Sequence, residues 1–436
     1  MPRSPSAVTA RLASAPPFVL TVWATIAAFS TYFCMYAFRK AFAAGAFEGV
    51  VQLPGLPPLQ YKSVLIIAQI AGYCVSKFAG IKVVSELTPE KRANAILICI
   101  GSAAAALALF AVVPRPWNVI CLFGNGLPLG LVWGLVFGFL EGRKVSDVLG
   151  AGVSASFIVA SGVAKDVGKR LLGLGVSETL MPLLAGLLFA PALLVSVWML
   201  SKIPKPTADD ERLRTRRDSM NAPARRSFLR EYGLGLVALV ILYIFLTAYR
   251  DFRDNYAPEL WSALGYGERP SVLSTTETIV GLSVMAVMAL LFLVRDNKKA
   301  LLMIHFALLA GALIIGLSTI AFERGILGPR AWMTAVGLGL YLGYVPYNCV
   351  LFDRLLASLR VVGTAGFLIY VADAFGYLGT VATYLAKDFF KPHLSVLEFF
   401  KTFSYATSLL CVVCAIASMS YFALREPGAR RSARPG

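Results

Sequence analysis

Charge is scarce in this 436-residue chain. Only 15% of its residues are Asp, Glu, Lys or Arg, against about 25% in a soluble domain, and the deficit excludes an ordinary water-soluble fold. Histidine is scarcer still, at two residues, His305 and His393. With no further Cys pair beside Cys411-x-x-Cys414, no metal site and no cofactor are expected. The seven cysteines all fall in apolar stretches, and an odd number so placed gives no disulfide framework. Catalytic signatures are lacking too. There is no His-Glu-x-x-His, and "GVAKDVGKR" has the wrong spacing for a phosphate loop, with no Ser or Thr after Gly168-Lys169. "GAGVSA" follows no strand, so close helix packing by small residues accounts for it. The chain does not read as an enzyme.

What it has in abundance is apolar surface: 58% hydrophobic residues and a mean hydropathy of +0.71. Runs of roughly 20 apolar residues, the length that crosses a bilayer as helix, recur throughout. In lipid the backbone must satisfy its own hydrogen bonds, so these runs are helices. Twelve spans are expected, near 17–46, 61–81, 93–113, 117–140, 148–171, 179–201, 232–257, 271–294, 299–322, 330–352, 361–386 and 399–422. The first is not read as a cleavable signal, because its apolar stretch is too long and Ala13-Ser14-Ala15 precedes it. The fold class is therefore all-α, a polytopic membrane protein with twelve transmembrane helices. A polar segment rich in Pro and Arg, 201–231, divides them into an N-terminal six-helix bundle, 1–200, and a C-terminal bundle with its tail, 232–436.

Lysine and arginine outnumber the acids, 41 to 24, for a net charge of +17. Their placement argues against nucleic acid. If the N-terminus is inside, alternate loops carry Lys91 and Arg92, Arg143 and Lys144, the central arginines, Arg295 with Lys298 and Lys299, and Arg354 with Arg360. The tail adds Arg425, Arg430, Arg431 and Arg434. That side holds about twice the Lys and Arg of the other, as the positive-inside rule requires. Both termini are expected in the cytoplasm. Nothing in the pattern demands an oligomer.

The two halves repeat one arrangement. Arg39 lies near the end of span 1 in "YFCMYAFRKAF", and Arg250 near the end of span 7 in "LYIFLTAYRDF". Each has a tyrosine seven residues upstream, Tyr32 and Tyr243, and a hydroxyl three upstream, Tyr36 and Thr247. Spacings of three, four and seven share one helix face. Matching cationic faces on two bundles are what a transporter with a central site between its repeats would carry.

Other spans carry single polar stripes: Gln69, Tyr73 and Lys77; Ser274, Glu277 and Gly281; Tyr341, Tyr344 and Asn348; Tyr370, Asp373 and Tyr377. A charge at mid-bilayer costs about 2.5–3.5 kcal/mol on insertion scales, so such residues face a wet cavity or a partner. Arg39 and Lys40 could instead end span 1 and snorkel to the interface, but "AFAAGAF" continues apolar beyond them and Arg250 repeats the arrangement. Tyr341 and Tyr370 read as packing or interface residues, and Asp251, Arg253 and Asp254 as lining the outer mouth. Arg39, Lys40, Lys77 and Arg250 bring four positive charges against two on Glu277 and Asp373. The surplus suits an anion, and a phosphate monoester carries about −1.5 to −2 at neutral pH. Arginine's planar fork binds phosphate through paired hydrogen bonds that lysine cannot copy.

These residues resemble the organophosphate:phosphate antiporters of the major facilitator superfamily. "YFCMYAFRKAF" is similar to that family's helix 1 and places Tyr32, Tyr36, Arg39 and Lys40 on its pocket residues. "GYCVSKF" resembles helix 2, with Tyr73 and Lys77. "YRDFRDNYAP" keeps the family's spacing from pocket arginine, Arg250, to proline, Pro258. "GNGLPLGLVW" is similar to helix 4, "TETIVG" to the helix 8 stretch with Glu277, and "YVP" sets Tyr344 near a pocket tyrosine. "GTAGF" and "FGYLG" resemble helix 11 and place Tyr377. Two positions depart from the pattern: "GVSASFIVASGV" lacks the helix 5 histidine, and Asp373 is an acid the family does not lead one to expect.

The resemblance implies a secondary transporter in the cytoplasmic (inner) membrane that exchanges a phosphorylated metabolite for inorganic phosphate by alternating access. Its substrate residues would be Arg39, Arg250, Lys40, Lys77, Tyr32, Tyr36, Tyr73, Tyr344 and Tyr377, with Glu277 and Asp373 in coupling or charge pairing. Its partners would be a small anion and the lipid bilayer. A proton-coupled organic-anion symporter and a transporter-like sensor of a phosphorylated ligand are the alternatives.

Overall fold

The computed structural model describes residues 6–52, 57–86, 89–140, 146–204, 222–269, 271–359, 365–390 and 393–424. Arg143, Lys144, Arg360, the arginines of 205–221 and those of the tail lie outside these, as does the side chain of Tyr370. Fifteen α-helices account for most of the described chain: α1 (Ala7–Ser14), α2 (Pro17–Lys40), α3 (Tyr61–Glu86), α4 (Pro89–Val112), α5 (Val119–Leu140), α6 (Ser146–Gly173), α7 (Met181–Ser201), α8 (Ala222–Asn255), α9 (Ala257–Ala263), α10 (Ser271–Phe292), α11 (Asn297–Glu323), α12 (Pro329–Cys349), α13 (Leu351–Leu359), α14 (Ala365–Phe390) and α15 (Val396–Ala423). The β-content described is one two-stranded antiparallel ribbon, β1 (Val50–Val51) with β2 (Leu59–Gln60), in the loop after α2.

Eight of the long helices are apolar and long enough to cross a bilayer by themselves. A further span, α12 with α13, is broken by a 56° bend after Cys349. The remaining long helices, α3, α6 and α14, bury polar side chains: Gln69 on α3, Lys165 and Asp166 on α6, and Asp373, Lys387 and Asp388 on α14. Leu282, Leu317 and Leu409 are more than 60% exposed on the outer surface. Such a belt would promote aggregation in water and is what lipid requires. The chain is an all-α, multi-pass membrane protein. One boundary differs from the expected span 7: α8 begins at Ala222, ten residues earlier than 232, because the stretch after Asn221 has helix formers and no breaker beyond its first turn.

Two bundles meet across a small set of helix pairs. The long helices α2–α7 form one, and α8 with α10–α15 the other. Between them α6 packs on α10, α3 on α14, and α12 also touches α6. The fifth span of each half thus meets the second span of the other, which is the arrangement two pseudo-symmetric halves produce. Glycine lets the α6–α10 crossing close: a Cβ at Gly162 would lie 2.7 Å from the Leu273 carbonyl. Within the first bundle α3 and α5 approach as tightly, since a Cβ at Gly126 would lie 2.1 Å from the Gln69 carbonyl and one at Gly72 2.2 Å from that of Phe123. Small residues serve this purpose where water is not present to drive helices together.

Candidate functional site

The polar faces of α2, α3 and α8 meet where the two bundles join. There Tyr32, Tyr36, Arg39, Tyr73 and Lys77 from the first half and Arg250, Tyr344, Asp373 and Tyr377 from the second line one cavity, together with Trp133, Phe157 and Asn348. It is narrow, with a volume of about 30 Å³, space for about two waters. Both arginines are inside the protein, Arg39 at 3% and Arg250 at 8% exposure, so neither reaches out toward lipid headgroups.

How Arg39 comes to point inward follows from the end of its helix. At Lys40 the α-helix gives way to a 3₁₀ turn, Ala41–Ala44, and the carbonyls of the last α-helical turn need new donors. Gln69 Nε2 donates to Arg39 O at 3.0 Å and to Asn125 Oδ1 at 2.8 Å. Asn125 Nδ2 in turn donates to Phe38 O at 3.2 Å and Ala103 O at 3.1 Å. This buried clasp ties α2, α3, α4 and α5 together just behind the guanidinium. The side chain then lies over the Tyr73 ring, with Cζ 4.0 Å from its centroid, a cation–π contact that supports a buried guanidinium.

The two arginines differ in their partners. Arg250 Nη1 donates to the Tyr344 hydroxyl, its Cζ sits 4.4 Å from the Tyr344 ring centroid, and Nη2 lies 3.1 Å from Asp251 Oδ1. Arg39 has no carboxylate within ion-pair distance among the described residues, and its Nε has no hydrogen-bond partner there. A buried cation without a counter-charge is costly and is where an anion would be held most strongly. Across the cavity Lys77 Nζ lies 3.5 Å from Asp373 Oδ2, while Asp373 Oδ1 accepts a 2.6 Å hydrogen bond from Tyr243.

Lys40 and Glu277, grouped with the site from sequence, are placed outside the cavity. Lys40 points the other way along α2, 2.7 Å from Asp254 Oδ2 and donating to Asn255 Oδ1 at 2.9 Å. Its successive position in the helix turns it about 100° from Arg39, onto the opposing α8. Glu277 accepts from Arg253 Nη1 at 2.7 Å, and Arg253 Nη2 bonds Met333 O at 3.0 Å; this pair lies within the second bundle. Tyr341 is buried beside Phe157, ring centroids 6.2 Å apart.

Beyond the cavity, toward the C-terminal ends of α2 and α8, the bundles are joined by a polar seam. Asp254 accepts from Ser161 and from Lys165 Nζ, the latter at 2.5 Å. Lys62 pairs with Glu259, Ser63 and Tyr256 share a hydroxyl contact of 2.9 Å, and Lys387 donates to Gln60 Oε1 at 3.1 Å. Lys169 donates to Gly267 O at 3.2 Å, and Asp166 accepts from Ser274 N at 3.2 Å.

Trp133 and Phe157 were not singled out by sequence. An apolar ring in an apolar span carries no signal that separates cavity wall from packing, although "GNGLPLGLVW" holds the first and the stretch lacking a helix 5 histidine holds the second. Asn348, in contrast, belonged to the stripe with Tyr341 and Tyr344.

The model of a family of unknown function, DUF5690, matches residues 41–425. No curated protein matches the chain. Among solved structures, a D-xylose–proton symporter aligns over 92% of this chain and 97% of its own at 15% identity, with a TM-score of 0.63. The human organic anion transporter MFSD10 aligns over 93% and 100% at 14% identity, TM-score 0.55. The major facilitator superfamily transporter FucP in the outward conformation aligns over 92% and 98% at 12% identity, TM-score 0.56. At these identities the likeness is one of fold, and the fold is that of the major facilitator superfamily.

Proposed function

The chain belongs to the DUF5690 family, and from its major facilitator fold and its cationic cavity we propose that it is a secondary transporter of a small anion. It works by alternating access, and a phosphorylated metabolite exchanged for inorganic phosphate is the first cargo to test. One observation carries the reading: a buried arginine from each bundle lines the same cavity, and Arg39 has no carboxylate partner among the described residues. An anion bridging the two guanidinium groups would draw the halves together and so bind the occluded intermediate more tightly than either open state, which is the condition for a ligand to drive exchange. The small volume means that Lys77 and the tyrosine rings must part to admit cargo. With the termini in the cytoplasm, the seam around Asp254 closes the outer mouth, and Tyr32, Tyr36, Tyr73, Tyr344 and Tyr377 supply hydroxyl donors and flat walls to the cargo. The chain acts as a monomeric carrier in the cytoplasmic membrane.

A second reading keeps transport and changes the coupling. Asp373, an intramembrane carboxylate at the cavity wall bonded across the bundles to Lys77, could carry a proton in a symporter.

Reconstituted vesicles loaded with labelled phosphate separate the two. Release driven by external phosphate or sugar phosphate, without a pH gradient, is the expected result. Strict dependence on a gradient would favour symport, and no flux in either case would leave a sensor.

A further inference from the structure

Of the three cations that reach the cavity among the described residues, two already have a carboxylate. Lys77 Nζ is 3.5 Å from Asp373 Oδ2, and Arg250 Nη2 is 3.1 Å from Asp251 Oδ1. Asp373 faces the cavity itself, whereas Asp251 stands behind Arg250 at 1% exposure. Asp251 also lies 3.8 Å from Lys40, a lysine outside the cavity that sits 2.7 Å from Asp254, the acid it shares with Lys165. Arg39 has no such partner among the described residues. Three cations against two carboxylates leave one positive charge, and it resides on Arg39. Inside a water-poor site the mismatch of a single charge is felt strongly, because few solvent dipoles are present to screen it.

We propose that the cavity selects a ligand of net charge −1, with Asp373 and Asp251 as the residues that reject a dianion. The class is a singly ionised oxyanion, such as a protonated phosphate, or a phosphate monoester whose second charge is cancelled by its own ammonium group. The inference rests on the anion-carrier reading and narrows it.

The test is competition against labelled inorganic phosphate bound to the reconstituted protein, at one pH, with methanesulfonate and sulfate as probes. Both are tetrahedral and fully ionised, and they differ by one unit of charge. On wild-type protein methanesulfonate displaces the label at roughly tenfold lower concentration than sulfate. Asp373→Asn raises the surplus to two and inverts that order. Adding Lys77→Gln to Asp373→Asn returns the surplus to one and restores the preference for methanesulfonate, a reversal that a merely structural role for Asp373 would not produce. Asp251→Asn removes the other carboxylate and must shift the ratio in the same direction as Asp373→Asn, which gives an independent reading if the first variant fails to insert. Sulfate equal to or better than methanesulfonate on the wild type, or a ratio unmoved in both Asp→Asn variants that still bind phosphate, overturns the proposal. A wild-type protein that binds no phosphate overturns the anion-carrier reading itself, and this refinement with it.

Discussion

Lys40 and Asp254 meet at 2.7 Å, an ion pair between α2 and α8 in which neither residue touches the cavity one helical step away. The Asp254 carboxylate is shared with Lys165 of α6, so a single acid holds two buried lysines of the opposite bundle. Removing one partner of a buried pair leaves an uncompensated charge and costs about 3–5 kcal/mol.

Asp254→Asn is therefore expected to open the seam. Ser63, fully buried there and bonded to Tyr256, offers a reporter. In the Asp254→Asn background a Ser63→Cys variant should react with a membrane-impermeant thiol reagent several-fold faster than with Asp254 intact. Unchanged labelling would show that this pair does not hold the bundles closed.

The clasp behind Arg39 predicts a loss of affinity without loss of the arginine. Asn125→Ala strands the Phe38 and Ala103 carbonyls and the Gln69 amide, at about 1–3 kcal/mol for each buried polar group left unpaired. Phosphate exchange should show a raised half-saturating concentration, and thermal unfolding in detergent a lowered midpoint. A midpoint that falls with no change in half-saturation would assign the clasp to stability alone.

Arg39→Lys retains the charge but loses the planar fork and its stack on Tyr73. Exchange should be abolished, with membrane insertion intact, and Arg250→Lys should behave likewise. Normal exchange by either variant would remove that residue from the ligand's grip.

Close packing supplies a further test. A Cβ at Gly126 would lie 2.1 Å from the Gln69 carbonyl, an overlap that α3 and α5 can relieve only by separating, at a cost of about 1–3 kcal/mol or more. Gly126→Ala should lower the unfolding midpoint in detergent, whereas the same change at Gly101, where no described atom beyond its own helix turn lies within 4 Å of the added Cβ, should leave it unchanged or raise it slightly, since Ala is the better helix former.

Much of this was legible from residue order, for physical reasons. Span positions follow from the thickness of hydrocarbon, and a charge inside a span is expensive enough to mark itself, which is how Arg39, Arg250, Lys77 and Asp373 stood out. Helix periodicity gives the face a residue occupies but not what meets that face. Lys40 was grouped with its neighbour Arg39 because no spacing rule reveals Asp254 on the facing helix. Glu277 was weighed against the cavity cations, yet its partner Arg253 belongs to its own bundle. Asp251, beside Arg250 in sequence, gave no sign that it would neutralise that guanidinium. The charge balance of the cavity was thus beyond reach until the chain was folded. The bend after Cys349 was hidden as well, since Pro346 permits a break without fixing its angle.

The account stands on one anion held by both bundles at once. Crystals grown with arsenate, a phosphate analogue with a strong anomalous signal, test it directly. A single arsenic peak within hydrogen-bonding reach of both the Arg39 and the Arg250 guanidinium groups is the predicted result. A peak bound to one bundle alone, or none in the cavity while exchange proceeds, would contradict it.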